Sequence, residues 1–343
     1  MKFGSVLITI LFMGMLLSCS KSSSTNNGSG TITPTNLSVS AIVNPDNSGN
    51  VSFTASANNA VSYDFDYGNG VFQTVVSGVV TYKYPASGTY TVNVIAKGSG
   101  GQTISKSIQV TVTVILALIW SDEFDVAGPP DPLKWGYDIG AGGWGNAELE
   151  YYTNRTDNAI VSGGTLKITA KAESYLGSAY TSARLLTKDK FSFKYGKIEI
   201  NAKLPAGVGT WPATWMLGNN FLTTGWPACG EIDIMEHRGS ELNKIFGTLH
   251  YPGHSGSNGD GNTVMISNAT TAFHKYAVEW SATTIKFSVD DVVFKTFANS
   301  GTTPFNQNFF VILNVAMGGN FGGTIDPAFT SAAMEIDYVR VYN

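Results

Sequence analysis

The stretch Trp226-Pro-Ala-Cys-Gly-Glu231-Ile-Asp233-Ile-Met-Glu236 places three acidic residues within six positions, among residues that favour β-strands. Side chains of a strand alternate between its two faces, so Glu231 and Asp233 share one face. The isoleucines between and after them point to the other face, toward a core. This stretch therefore predicts a half-buried strand with an acidic face.

The third acid, Glu236, stands at an odd spacing from Glu231. In a regular strand its carboxylate would enter the apolar side, where burying an unpaired charge is costly. One extra residue at Ile234–Met235, a β-bulge, returns Glu236 to the acidic face. The sequence therefore predicts a bulged strand that carries three carboxyl groups on one face.

Three carboxyl groups on one face support two kinds of chemistry. Like charges held close raise one another's pKa, so one carboxyl keeps its proton while another is anionic. A protonated acid beside an anionic nucleophile is what glycoside hydrolysis requires. The same oxygens would also suit Ca²⁺ or Mg²⁺. The residues favour hydrolysis over a cation site, and the flanking Trp-Pro and Cys-Gly argue against an incidental solvated strand.

The rest of the chain indicates an all-β protein. It has 343 residues, 43% of them hydrophobic and only 13% charged, with 38 glycines. Strand-like runs recur through residues 119–343 without a competing helical period, which suits a β-sandwich of jelly-roll type. A net charge of −4 gives no electrostatic reason to bind nucleic acid. Two cysteines exclude a disulfide framework and a Cys-rich zinc site.

The acidic strand resembles the ExDxxE motif of glycoside hydrolase family 16, in its laminarinase form. Resemblance continues, in order, through almost all of residues 119–343. The further matching segments are Trp120–Phe124, Trp144–Tyr152, Ser182–Leu185, Phe193–Gly196, Leu204–Gly218, Phe273–Trp280, Asn314–Gly319 and Ile336–Val341. The family implies a concanavalin-A-like β-jelly roll with a substrate cleft across its concave sheet.

The resemblance gives each acid a role. Glu231 would be the nucleophile that forms a glycosyl-enzyme, and Glu236 the general acid and then the general base. Asp233 would lie between them, hydrogen-bonding Glu231 and tuning both pKa values. The six-residue motif with its extra Met is typical of laminarinases rather than of lichenases. No cofactor is expected for catalysis.

Six side chains are expected to contact the sugar. They are Asn146, Arg184, Trp211, Trp215, Trp226 and His250. The tryptophans lie near the acidic strand in sequence, and rigid indoles offer apolar contact area to sugar rings. Core packing is the alternative, most strongly for Trp215. The resemblance places Asn146 and Arg184 in the donor subsites and His250 in the cleft near the acid/base.

The resemblance also implies a structural calcium ion on the convex side. Glu123, a backbone carbonyl at Gly163 and the side chain of Asp337 occupy the matching positions. Calcium prefers such oxygen ligands. The ion would stabilise the fold and take no part in catalysis.

Residues 36–114 show a different pattern. Period-2 runs separated by Gly, Asn and Ser indicate a small antiparallel sandwich. The segments Phe65–Gly70 and Tyr82–Val92 resemble those of Ig-like PKD (polycystic kidney disease) modules, although Phe65 and Asn69 depart from the family's Trp and acidic residue. This module is expected to act as a spacer or a weak adhesion unit.

The first residues of the chain have the features of an export signal. Met1–Lys2 is followed by the apolar run Phe3–Leu17, too short to span a bilayer, so residues 1–18 are expected to be a signal peptide. Cys19 resembles the lipidated cysteine of bacterial lipoproteins; a plain signal peptide is the alternative. Lipidation would anchor the chain to an outer membrane or cell surface, with 19–35 as a flexible linker.

Together these features predict an exported, retaining endo-β-1,3-glucanase that acts on laminarin-like polysaccharides. We expect a monomer whose partner is a β-glucan and whose membrane contact is a lipid at Cys19. Three alternatives stay open. They are a β-1,3-1,4-glucanase or broad β-1,3(4)-glucanase, a transglycosylase using the same residues, and a non-catalytic glucan-binding lectin.

Overall fold

The computed structural model describes residues 32–343. The predicted signal peptide, Cys19 and most of the predicted linker lie outside the described residues. Within residues 32–343, the structure contains no helix with the length and apolar character needed to cross a membrane.

Seven strands, β1 to β7, form the N-terminal part of the described chain. Their bounds are Thr35–Val43, Asn50–Asn58, Ser62–Asp66, Phe72–Val75, Val79–Lys83, Gly88–Lys97 and Thr103–Val112. They make two antiparallel sheets, ordered β1-β2-β5 and β4-β3-β6-β7. These sheets enclose their own core, in which Phe53, Phe65, Tyr67 and Tyr84 are fully buried. The alternating pattern of residues 36–114 therefore forms strands, while their assignment to a PKD-like module stays a prediction.

The C-terminal part of the described chain is built from strands β8 to β24. Their bounds are Leu118–Asp122, Gly136–Asp138, Glu150–Tyr152, Ala159–Ser162, Thr165–Tyr175, Ser178–Ser182, Arg184–Leu186, Gly196–Lys203, Thr210–Gly218, Glu231–His237, Lys244–His250, Asp260–Met265, His274–Trp280, Thr284–Val289, Val292–Ala298, Phe309–Met317 and Ser331–Tyr342. Helices α1, Phe221–Thr224, and α2, Gly319–Gly322, are single turns, as are the 3₁₀ segments Gly143–Gly145 and Gly256–Asn258.

These strands form two large sheets that pack face to face. One runs β10-β13-β12-β24-β15-β20-β21-β22, with β11 beside β12 and β8 beside β24; the other runs β19-β18-β17-β16-β23-β14-β9. Apolar side chains from both sheets fill a single core, for example Ile200 of β15 and Val278 of β20 with Ile232 of β17 and Val311 of β23. The all-β architecture expected from the sequence is confirmed.

Strand β17 contains the predicted bulge. Asp233 pairs with Thr248 of β18 while Glu236 pairs with Phe246, so three steps on β17 match two on β18. The two intervening residues, Ile234–Met235, are both buried in the core. Two consecutive side chains thus point inward, and the alternation resumes with Glu236 on the face of the other acids.

Candidate active site

The three acids of β17 lie near the middle of the seven-stranded sheet, between β16 and β18. Glu231 is the most accessible, with 16% of its side chain exposed, and Asp233 and Glu236 are buried. Burial raises the pKa of each of the three carboxyl groups, because the charged form loses its hydration. Their mutual repulsion raises the pKa of Glu231 and Asp233 further.

Glu231 is held by two groups that favour its ionised form. The indole N–H of Trp226 donates to its Oε2 at 3.0 Å, and Nε2 of His250 lies 3.7 Å from its Oε1. Burial dominates and keeps the pKa of Glu231 above its usual range, while His250 and Trp226 act in the opposite direction. A carboxylate with an indole donor on one oxygen and an imidazole close to the other is suited to act as a nucleophile.

His250 also contacts Asp233, with Nε2 3.2 Å from Oδ2. The resemblance places this histidine in the cleft near the acid/base. His250 lies opposite Glu231 across β17 and β18, and Glu236 lies opposite Phe246, four residues earlier on β18. The imidazole contacts Glu231 and Asp233 directly, and its electrostatic effect also lowers the pKa of Glu236.

Glu236 has its own pair of donors at the other end of the site. The indole N–H of Trp211 donates to Oε1 at 3.0 Å, and the hydroxyl of Thr248 lies 3.4 Å from Oε2. Burial raises the pKa of Glu236, and the Trp211 bond lowers it in part. Three buried carboxyl groups this close cannot all be ionised, so the site retains a proton for acid catalysis.

A second group of side chains lies around Arg184 of β14. The guanidinium carbon of Arg184 lies 4.9 Å from the ring centre of Trp215 and 5.0 Å from that of Trp144. Its Nε is 3.0 Å from Asp138. We call Trp144, Asn146, Arg184 and Trp215 the donor wall, since the resemblance places Asn146 and Arg184 in the donor subsites.

Of the six predicted sugar-binding residues, the structure brings three to the acids and three to the donor wall. Trp211, Trp226 and His250 contact the carboxyl groups directly. Trp215 is half-buried: it packs against a small buried cluster that includes Leu186 and Ile312, and its N–H donates to Asn314 at 2.8 Å. Asn146 donates to Glu148 at 3.2 Å.

Comparison with known proteins identifies the family of this chain. Residues 147–340 match the family described as glycosyl hydrolases family 16, which is more than half of the chain. The chain belongs to glycosyl hydrolase family 16. It is 47% identical over 241 residues to a β-glucanase of Rhodothermus marinus, covering 66% of this chain and 84% of that protein.

Solved structures show the same likeness. A laminarinase from Rhodothermus marinus superposes with a TM-score of 0.64 and 46% identity, covering 67% of this chain and 98% of that one. The laminarinase catalytic domain of Thermotoga maritima gives a TM-score of 0.62 at 43% identity, covering 66% and 98%. This family 16 member is therefore a glycoside hydrolase, and residues 118–342 carry the jelly-roll architecture.

The cation alternative for the acidic strand has limited geometric support. Among residues 32–343, one group of three acidic, His or Cys side chains has ligand atoms within 4.8 Å of one another: Glu231, Asp233 and His250. A hard cation takes about six to eight oxygen ligands, whereas this set offers two carboxylates and an imidazole. Trp226 already occupies one oxygen of Glu231. The site fits acid/base chemistry better than calcium or magnesium binding.

The expected calcium ligands do not fit an ion as they are arranged. Both oxygens of Glu123 accept hydrogen bonds from the guanidinium of Arg340, at 2.7 to 3.2 Å, which neutralises this carboxylate. Asp337 accepts from Asn201 at 2.9 Å, and Gly163 lies in the turn between β11 and β12. Calcium binding stays a prediction, which thermal unfolding with and without a chelator would test.

The side chains that support the donor wall were not predicted from the sequence. Glu148, Tyr152 and Asn314 are buried and joined to one another by hydrogen bonds. A weak signal was present, because Glu148, Glu150 and Tyr152 alternate in the manner of one strand face. Nothing in the sequence indicated that Asn314, 162 residues later, lies against Tyr152.

Proposed function

We propose that this family 16 enzyme is an endo-β-1,3-glucanase that hydrolyses laminarin-like polysaccharides with retention of configuration. The observation that carries the proposal is the bulged strand β17, which collects Glu231, Asp233 and Glu236 in one buried site. Similarity to proteins named laminarinase supports the choice of substrate.

The reaction would proceed by double displacement. Glu236 donates its proton to the glycosidic oxygen while Glu231 attacks the anomeric carbon, forming a glycosyl-enzyme and releasing the leaving saccharide. Esterification removes the charge of Glu231, so the pKa of Glu236 falls and its carboxylate can accept a proton from water. That water then releases the sugar and restores both groups. Asp233 and His250 hold Glu231 in position.

Product analysis on laminarin, lichenan and agarose tests the substrate, and NMR of the first product tests retention. We expect oligosaccharides of mixed length from laminarin, released as the β-anomer. Preference for lichenan would favour the β-1,3-1,4-glucanase alternative, oligosaccharides longer than the substrate would reveal transglycosylation, and no cleavage of any laminarin would refute the proposal.

Replacement of the nucleophile separates an enzyme from a lectin. Glu231→Gln should reduce kcat by at least about a thousandfold while laminarin oligosaccharides still bind. Glu279→Gln is a matched control, since Glu279 is an exposed carboxylate on β20 of the other sheet. A Glu231→Gln protein as active as the wild type would rule out the assigned nucleophile.

We further propose that Cys19 is lipidated, that residues 19–35 tether the enzyme to a bacterial outer membrane or cell surface, and that residues 36–114 are a PKD-like spacer. Residues 1–18 carry the features of an export signal. In a bacterial host, the full chain should fractionate with membranes and Cys19→Ala should release it into the soluble exported fraction. Equal membrane association of both proteins would disprove the anchor. Light scattering of the released protein tests the expected monomer.

A further inference from the structure

A directed line of hydrogen bonds lies behind the donor wall. The indole N–H of Trp215 donates to Oδ1 of Asn314 at 2.8 Å, and Nδ2 of Asn314 donates to the hydroxyl oxygen of Tyr152 at 3.0 Å. Tyr152 then donates its proton to Oε2 of Glu148 at 2.9 Å. An indole can only donate, so it fixes the orientation of Asn314 and with it every later donor. The line must end on an acceptor.

Glu148 is the acceptor at which this line ends. Its Oε2 receives Tyr152, and its Oε1 receives the side-chain amide of Asn146 at 3.2 Å. Asn146 and Tyr152 both donate hydrogens to Glu148. A proton on either oxygen of Glu148 would therefore point toward another hydrogen. Glu148 therefore acts as an anion that holds one donor-wall residue directly and another through two intermediates.

A second carboxyl group, Glu150, is buried beside this anion. It is fully inaccessible, its Oε2 accepts the backbone N–H of Met317 at 2.6 Å, and its Oε1 is buried without a hydrogen-bond donor. Burial, and then the charge of Glu148, raise the pKa of Glu150 to about 9. A proton on Oε1 of Glu150 satisfies that oxygen and removes the repulsion between the two groups.

The charged and titratable neighbours of the pair come from several elements. Glu148 and Tyr152 belong to the same segment as Glu150, and both carboxyl groups disfavour ionisation of Tyr152. From β14, the positive charge of Arg184 lowers the pKa of Tyr152 in part, and Asp138 of β9 already pairs with Arg184. Strand β23 contributes the N–H of Met317, which lowers the pKa of Glu150 in part.

We propose that Glu148 and Glu150 form a one-proton carboxyl pair that positions the donor wall for glucan binding. In this pair Glu148 is the anion and Glu150 the acid. They are positioning residues, since Glu148 reaches the wall through Asn146 and through Tyr152, whose ring packs 5.5 Å from that of Trp144. Ionisation of Glu150 would place two charges in a buried site and disturb the anion that orients the wall. The inference rests on the proposed function only where its test measures β-glucan binding.

The first test is spectroscopic and independent of substrate. Infrared difference spectra between the wild type and Glu150→Gln, recorded from pH 6 to 10, should show the carbonyl band of a protonated carboxylic acid at pH 7. The band should disappear as the pH rises through about 9. Glu279→Gln is the control and should show no such band. Absence of the band at pH 7 overturns the pair, whatever substrate the enzyme uses.

The second test measures laminarin-oligosaccharide affinity by calorimetry over the same pH range, each variant being combined with Glu231→Gln to prevent turnover. With Glu150 intact, affinity should fall several-fold above pH 9, whereas Glu150→Gln should bind equally at pH 7 and stay level. Glu148→Gln should weaken binding about tenfold at every pH, because it loses a charge-assisted acceptor. If Glu148→Gln does not fold, Tyr152→Phe is used in its place. It keeps the ring but loses the hydrogen bond to Glu148, so it should also weaken binding.

The possible results distinguish failure of the carboxyl-pair proposal from failure of the proposed function. Equal pH dependence with and without Glu150, or unchanged affinity in both Glu148→Gln and Tyr152→Phe, overturns the positioning role. A wild type that cleaves and binds no β-glucan overturns the proposed function instead, and the infrared band then still decides whether the proton pair exists.

Discussion

At the scale of single residues, two indole N–H groups hold opposite ends of the acidic strand. Trp226 donates to Glu231 and Trp211 donates to Glu236, both at 3.0 Å. A donor stabilises the ionised form of a carboxyl group, so each bond lowers the pKa of its partner. The two tryptophans therefore act on the two acids whose protonation states must differ for catalysis.

Removing the first donor should shift the acidic limb of the pH–rate profile. In Trp226→Phe the pKa of Glu231 rises, and because the nucleophile must be ionised, activity is lost at low pH. We expect the acidic limb of kcat/KM to move up by about one pH unit. An acidic limb that stays in place would show that Trp226 does not act on the nucleophile.

Removing the hydrogen bond from Trp211 to Glu236 should shift the other limb of the pH–rate profile. In Trp211→Phe the pKa of Glu236 rises, and because the general acid must be protonated, activity extends to higher pH. The alkaline limb should therefore move up by about one pH unit while the acidic limb stays in place. Movement of the same limb in both variants would contradict the assignment of the two acids.

Glu150 should also make stability depend on pH. Its pKa is raised to about 9 in the folded protein from an ordinary value of 4.5. Between these two pH values the folded protein keeps a proton that the unfolded chain has already released. The sign follows: its stabilisation is complete below pH 4.5 and declines as the pH rises toward 9. Urea unfolding of Glu150→Gln should lack this decline. Parallel pH curves for the two proteins would refute the raised pKa.

At the scale of secondary-structure elements, the bulge of β17 compensates for the odd spacing of Glu236. Deleting Met235 reduces the spacing of Glu231 and Glu236 from five positions to four, so a regular strand without a bulge keeps all three acids on one face. We expect a variant that still hydrolyses glucan and that loses about 2 to 5 kcal/mol in the free energy of unfolding, because the core loses a buried methionine. Met235→Leu is the control, since it keeps the bulge and the volume and should cost less than about 1.5 kcal/mol. A deletion variant that folds but is inactive would mean that the bulge does more than return Glu236 to the acidic face.

The same elements show how far the sequence predicts the site. The odd spacing of Glu236 was enough to predict the bulge, because a regular strand would have buried its charge. The resemblance placed His250 in the cleft, but its position opposite Glu231 follows from the register of β17 against β18, which depends on the bulge and on the turn between the strands. The Glu148–Tyr152–Asn314 line was missed, since it joins β10 of one sheet to β23 of the other, and only the packing of the two sheets brings these strands together. Local alternation is visible in a sequence, and contacts between two sheets are not.

At the scale of the whole molecule, the described chain contains separate hydrophobic cores. The core of β1 to β7 shares no residue with the main core of β8 to β24. Every group of the candidate active site lies between Asp138 and Met317. The backbone of Ala117 pairs with that of Asn343, so the C-terminal unit begins just before β8.

This separation predicts that the fragment 116–343 folds and works alone. Because it retains its core, its acids and the Ala117–Asn343 pairing, we expect a cooperative thermal transition and kcat/KM on soluble laminarin within about twofold of the full chain. The full chain should show an additional transition from β1 to β7, and the matched fragment 32–115 should reproduce that transition by itself. A fragment 116–343 that is unfolded or inactive would mean that the N-terminal sheets stabilise the catalytic unit, contrary to their proposed role as a spacer. If the spacer instead binds glucan, activity on soluble oligosaccharides should stay the same, while activity on insoluble β-1,3-glucan should fall when residues 32–115 are removed.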